Sequence, residues 1–165
     1  MTNVDWMLTW NTVQAVFTAL MAIAIIVAAV FAVRQLREAA RARHAEVLSQ
    51  IHEILGDPKV VAARQTVKSL PQNFEIESLN DQQRNAVELV TRSFDRVGFY
   101  LRCKLIPEDL VLPEYPGALW HWQKLKHYVE HQRKAEGYEA RCFFEYMALR
   151  TREYRQKHGL SLRGG

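Results

Sequence analysis

The chain has 165 residues and a mass of 19.2 kDa, which fits one ordinary domain or a smaller domain with an appendage and excludes a large multidomain enzyme. Hydrophobic residues at 48% and charged residues at 24% sit near globular averages and exclude the charge-rich, apolar-poor composition of disorder. The formal charge of +4 is unevenly spread: residues 1–33 hold no Lys or Arg and one acid, Asp5, leaving 22 bases against 17 acids beyond Val33, a net of +5 that suits a domain beside anionic lipid.

The first predicted element is a membrane helix. Residues 15–33 read AVFTALMAIAIIVAAVFAV, with Thr18 the single polar side chain. At a rise of about 1.5 Å per residue, roughly 20 such residues cross a hydrocarbon core of about 30 Å, and a helix satisfies every backbone amide on the way. Uncharged residues reach upstream to Trp6, which places Trp6 and Trp10 at headgroup level. A cleaved signal peptide needs a positive leader, and MTNVDW has none. The next residues, RQLREAARAR, set Arg34, Arg37, Arg41 and Arg43 against Glu38. The positive-inside rule then keeps that flank in the cytoplasm and sends the N-terminus out. The expected organisation is a short extracytoplasmic tail at 1–11, a transmembrane helix at 12–33, a juxtamembrane helix at 34–56 and a cytoplasmic helical domain at 57–165. The whole is expected to be a single-pass protein of the inner (plasma) membrane. Within the span, Ala24, Ala28 and Ala32 form a small-residue stripe of the kind that lets two helices approach.

No Pro or Gly interrupts the chain from Val33 to Leu55, and helix formers dominate, so the membrane helix is expected to run on. Leu36, Ala40, Val47, Leu48, Ile51 and Leu55 lie on one stripe of that extension. Gly56, Asp57 and Pro58 then end one helix and open the next. The second carries Val60, Val61, Val67 and Leu70 and stops at Pro71. Asn80 and Gln83 read as a capping box for a long third helix, buried through Val87, Val90, Phe94, Val97 and Leu101. IPEDLVLPEYPG is a connector with one helical turn at PEDL. A fourth helix spans about 117–136, with Ala118, Trp122, Leu125 and Val129 on one face and Gly137 terminating it. A fifth spans about 138–158, buries Phe143, Phe144 and Met147, and ends at Gly159. No stretch alternates like a strand, so the fold class is all-α: one transmembrane helix continuing into a small cytoplasmic bundle. Cys103 and Cys142 lack CxxC spacing and read as free, buried helical thiols.

FDRVGFYLRCKLIPEDLV, LWHWQKLKHYVEHQR and YEARCFFEYMAL together resemble an uncharacterised bacterial family, domain of unknown function 4760. Its members have one N-terminal membrane helix and a helical cytoplasmic domain. The resemblance lies in about Phe94 to Leu149, with Trp122, Arg133, Phe144 and Glu145 as matching positions, and it implies topology and fold without an activity.

Chemistry-bearing motifs are sparse. Arg133 and Glu145 are placed to pair across the last helical hairpin, a structural ion pair in preference to a catalytic one. His127 and His131 share a helix face without the HExxH arrangement, and a helical wheel puts them on a solvated side near Lys124 and Trp120. Trp120 points outward there, as an anchor for a partner or under the first cytoplasmic helix. Arg150, Arg152, Arg155, Lys157 and Arg163 against Glu153 make a basic C-terminal stretch, a candidate interaction surface that is also an ordinary helix end. Phosphate loops, GxSxG, CxxC and DxDxDG patterns are missing, so no catalytic residue, metal or cofactor is expected. No specific nucleic-acid reading is expected either. The reading that follows is a membrane-anchored interaction module, with the lipid bilayer and a protein partner or a second copy as its contacts. The alternatives are a membrane effector of a stress or phage-defence system and an uncharacterised enzyme.

Overall fold

The structure, a computed structural model, describes residues 3–136 and 139–162. Those residues are all-helical, with no strand among them: α1 (Asn3–Gly56), α2 (Pro58–Ser69), α3 (Asp81–Arg102), α4 (Glu108–Val111), α5 (Gly117–Glu136) and α6 (Cys142–Lys157). They divide into two compact units, Met1–Arg43 and His44–Gly165.

The first unit is the N-terminal part of α1. With no helix breaker near the start, the helix already runs from Asn3, so most of the expected tail at 1–11 is helical. Val16–Gly56 is long and apolar enough to cross a membrane. Phe17, Leu20, Ile25, Ile26 and Phe31 are all at least 60% exposed, so no described part of the chain covers this surface. Trp10 is likewise exposed. Leu36, expected on a packed stripe, is 71% exposed and belongs to this unit.

The second unit holds the core. Ile51 and Leu55 of α1 are fully buried in it, with Val47 and Leu48 partly buried against it. The Asp57 side chain accepts from Lys59 N and Pro58 stands at the first helical position, which fixes the start of α2. On α2, Val60 and Val67 are buried and Val61 is exposed, a correction to the expected apolar face. The capping box opens α3: Gln83 N donates to Asn80 Oδ1 at 2.8 Å, and Asn80 N donates to Gln83 Oε1 at 3.1 Å. All five apolar residues expected on its inner face are buried.

The chain then packs α2, α6 and a shorter stretch of α5 on α3, with α5 also against α6. The α3–α6 contact is specified by DRVG. Gly98 brings α3 so close to α6 that a Cβ there would overlap the carbonyl oxygen of Phe143 and lie 2.5 Å from its carbonyl carbon. Asp95 Oδ1, one turn earlier, accepts from Phe143 N and Phe144 N at 3.0 Å each, satisfying orphan amides at the start of α6. Phe94 stacks on Phe144 at 5.2 Å, and Trp122 meets Phe144 edge-on at 5.2 Å.

Helix α6 starts at Cys142, later than expected, because Arg141 takes a left-handed φ of 58° that no helix continues through. The expected stop at Gly137 and the start at Tyr138 fall outside the described residues. Gly159, at φ 64°, ends α6 as expected. Phe143 is half-buried where full burial was expected, and Cys103 is exposed, with Cys142 intermediate; both thiols are free.

Candidate functional site

The most chemically loaded place in the second unit is a cavity of about 270 Å³ between α2 and α5. Val61, Arg64, Gln65 and Lys68 repeat at helical spacing along α2, and Gly117, Trp120 and His121 stand on the first turns of α5. None of these seven residues is acidic. The N-terminal end of α5, where a helix presents partial positive charge, opens on the cavity through Gly117.

His121 forms its inner wall. The residue is only 4% exposed, its ring packed at 5.2 Å from Phe94 and edge-on at 4.8 Å from Trp120. Nδ1 lies 2.7 Å from Gly117 O; the carbonyl can only accept, so Nδ1 carries the proton and Nε2 presents a lone pair. That Nε2 is buried without a hydrogen-bond partner. Burial pushes the imidazole down to about 4, helped by the charges of Arg64, Lys68 and Lys124 and opposed by the Gly117 bond. His121 is therefore neutral at physiological pH.

The surrounding cations are held by backbone oxygens. Arg64 Nη2 donates to Leu55 O at 2.7 Å, closing the end of α1 and using one of five guanidinium donors. Lys124, 3% exposed, donates to Lys68 O at 3.0 Å and Leu70 O at 2.6 Å, so it caps the C-terminus of α2 from α5. Its ammonium also lies 5.0 Å from the Trp120 ring centroid, and burial lowers its pKa. This corrects the expectation of a solvated Lys124. Helix α5 packs on α6 and reaches α2 through the Lys124 side chain, so polar residues beside its apolar face are buried as well. Trp120 is half-buried beside α2 and not under α1.

The residues singled out from sequence are scattered by the fold. Arg133 Nη1 lies 2.9 Å from Glu145 Oε2, Arg133 Nε donates to Ala140 O at 2.8 Å, and the guanidinium sits 6.0 Å from the Trp122 ring centroid. These bonds tie α5 to the start of α6. His127 does not stand on a solvated face: its Nε2 is 3.2 Å from Phe74 O, and its ring meets Phe74 edge-on at 4.4 Å. His131 is exposed, and no group of three metal-capable side chains occurs among the described residues.

Of the basic C-terminal stretch, Arg150 is engaged by two acids while its side chain stays partly exposed. It grips Glu108 with two bonds, Nε to Oε1 at 2.8 Å and Nη2 to Oε2 at 2.6 Å, and also pairs with Glu153. Arg155 donates to Ser161 O, while Arg152 and Lys157 are exposed. Arg163 lies outside the described residues. Along α1, Arg34, Arg37, Arg41 and Arg43 are exposed, as are Ala24, Ala28 and Ala32.

Comparison with known protein families, with curated proteins and with solved structures gives no match. The likeness carried by residues 94–149 therefore rests on the sequence alone. What the geometry adds is the work of those residues: Phe94, Asp95, Gly98, Trp122, Arg133, Phe144 and Glu145 all serve the packing of α3, α5 and α6.

A partly buried ionic cluster, unread in the sequence, joins the same helices. Glu88 of α3 accepts from Arg92 at 2.6 Å and from Gln132 at 3.1 Å, and pairs with Arg141. Burial acts to raise its pKa, but Arg141, Arg92 and Gln132 outweigh it and hold the carboxyl below its ordinary value. Asp95, Glu88 and Lys124 find partners in other elements, and His121 is covered by Phe94 of α3, so helical periodicity alone could not reveal them.

Proposed function

We propose that the chain is a single-pass membrane protein whose N-terminal helix tethers a small helical bundle to the cytoplasmic face of the bacterial inner membrane, where it works through protein contacts or self-association. One observation supports this reading above others: the large apolar side chains of α1 from Val16 to Val33 are about half exposed or more, with no described residue to cover them. At about 25 cal/mol per Å², leaving such a surface in water costs far more than a marginally stable unit supplies, and lipid removes the cost. The arginines at 34, 37, 41 and 43 favour retention of the following unit in the cytoplasm.

The test is purification of the full-length protein from membranes in mild detergent, with the mass of the intact complex read alongside its composition. Recovery in the carbonate-resistant membrane fraction with a stoichiometric partner, or as a homo-oligomer, supports the proposal. Release of the protein by carbonate removes the anchor, and a strictly monomeric species without partner removes the interaction role.

A further inference from the structure

We propose that the α2–α5 cavity is a binding site for a phosphate monoester, with Arg64 and Lys68 taking its anionic oxygens and His121 Nε2 accepting a hydrogen bond from the phosphate hydroxyl. The proposal stands on the second unit alone and is independent of the anchor.

Three features of the cavity define the ligand. Two cationic side chains and the N-terminal end of a 20-residue helix line it, and no carboxylate opposes them, so the occupant is an anion. The buried Nε2 has a lone pair and no partner, an unsatisfied acceptor of the kind that costs about 1–3 kcal/mol if left so. The occupant must then also carry a donor. A carboxylate, a sulfate or a phosphodiester offers acceptors only near neutral pH, and each would set lone pair against lone pair at Nε2. A phosphate monoester, whose second pKa is about 6, keeps one hydroxyl in its monoanion and has two further oxygens for Arg64 and Lys68.

The size of the site agrees. At about 270 Å³ it holds several times the roughly 30 Å³ of a liquid water, leaving space beside Trp120 for the organic part of the ester. The bound proton lies between a phosphate oxygen and Nε2, and binding a dianion from solution takes up that one proton. The charged groups facing His121 are Arg64 and Lys68 from α2 and Lys124 from α5. Phe94, from α3, contributes no charge. Affinity should therefore fall about tenfold per pH unit once the free ester is a dianion, above about pH 7.

Both a soluble metabolite and the headgroup of phosphatidic acid carry this chemistry. Isothermal titration of the full-length protein in dodecyl maltoside separates them, using glycerol 3-phosphate against sulfate, and dioctanoyl phosphatidic acid against dioctanoyl phosphatidylglycerol. The expected result is binding of at least one monoester, at least tenfold tighter than its control anion, and about tenfold weaker at pH 8 than at pH 7. Tighter glycerol 3-phosphate assigns a soluble ligand, and tighter phosphatidic acid assigns the lipid.

Lys68→Gln, at an exposed side chain, should weaken binding about tenfold without disturbing the fold, and Arg64→Gln should do the same while also losing the Leu55 contact. A His121 ring resonance that titrates well above 4 only when the monoester is present would place the proton at Nε2. Sulfate bound as well as the ester, affinity unchanged by Lys68→Gln, or no binding of either monoester would overturn the proposal.

Discussion

Gly98→Ala puts the account of the α3–α6 junction at risk with one methyl group. The added Cβ would overlap Phe143 O and lie 2.5 Å from Phe143 C and 3.2 Å from its Cβ; the first two are backbone atoms that no rotamer change can move. Helices α3 and α6 must separate, an overpacking cost of about 1–3 kcal/mol. Separation also stretches the two bonds from Phe143 N and Phe144 N to Asp95, a capping contribution of about 1–2 kcal/mol. Against this, alanine gains about 1 kcal/mol over glycine inside a helix. The net is a loss of about 1–4 kcal/mol, and at roughly 3–5 °C per kcal/mol a central expectation is a Tm lower by about 10 °C. Thermal melts of the full-length protein in detergent, followed by tryptophan fluorescence, measure it. Gly56→Ala is the internal control, since a Cβ there meets nothing within 4 Å and should leave Tm unchanged or slightly raised. If Gly98→Ala is as stable as the parent, the close approach of α3 and α6 is wrong.

Asp95→Ala removes both bonds at the start of α6 without adding volume, and should cost about 1–2 kcal/mol in urea unfolding. Lys124→Met leaves the carbonyls of Lys68 and Leu70 without their donor, for an expected loss of about 1–3 kcal/mol, whereas Lys126→Met, at an exposed side chain of the same helix, should change little. The hydrogen bond from Arg150 holds Glu108 below its ordinary 4.5 against the effect of burial, with Tyr146 contributing. Because the folded value is the lower one, that stabilisation is complete above about pH 4.5 and is lost as pH falls through the folded value. Thermal melts between pH 6 and pH 3 should show the decline, and Glu108→Gln should flatten part of it.

Local signals carried much of the fold. Asn80 and Gln83 are three residues apart and cap the helix they open, so the start of α3 is written in adjacent residues. Asp57 with Pro58, the turn at Glu108–Val111 and Gly159 are legible for the same reason. The cavity was not legible. His121 and Lys124 look like polar punctuation on an amphipathic helix, and only the packing of α2 and α3 around them buries them. Asp95 carries no local sign of its role because its partners lie 48 and 49 residues away. Arg150 reads as part of a basic surface because Glu108, which claims it, is 42 residues upstream. A helical wheel shows which face is apolar and cannot show that a second helix covers the polar flank.

Cysteine labelling in intact cells tests the anchored topology most directly. In a Cys142→Ser background, exposed Cys103 reports on the second unit and Thr2→Cys reports on the N-terminus. A membrane-impermeant maleimide should label the Thr2→Cys site in intact cells and reach Cys103 only after the inner membrane is permeabilised. Labelling of Cys103 in intact cells with protection of the Thr2→Cys site would reverse the orientation, and protection of both until permeabilisation would contradict a membrane-spanning α1.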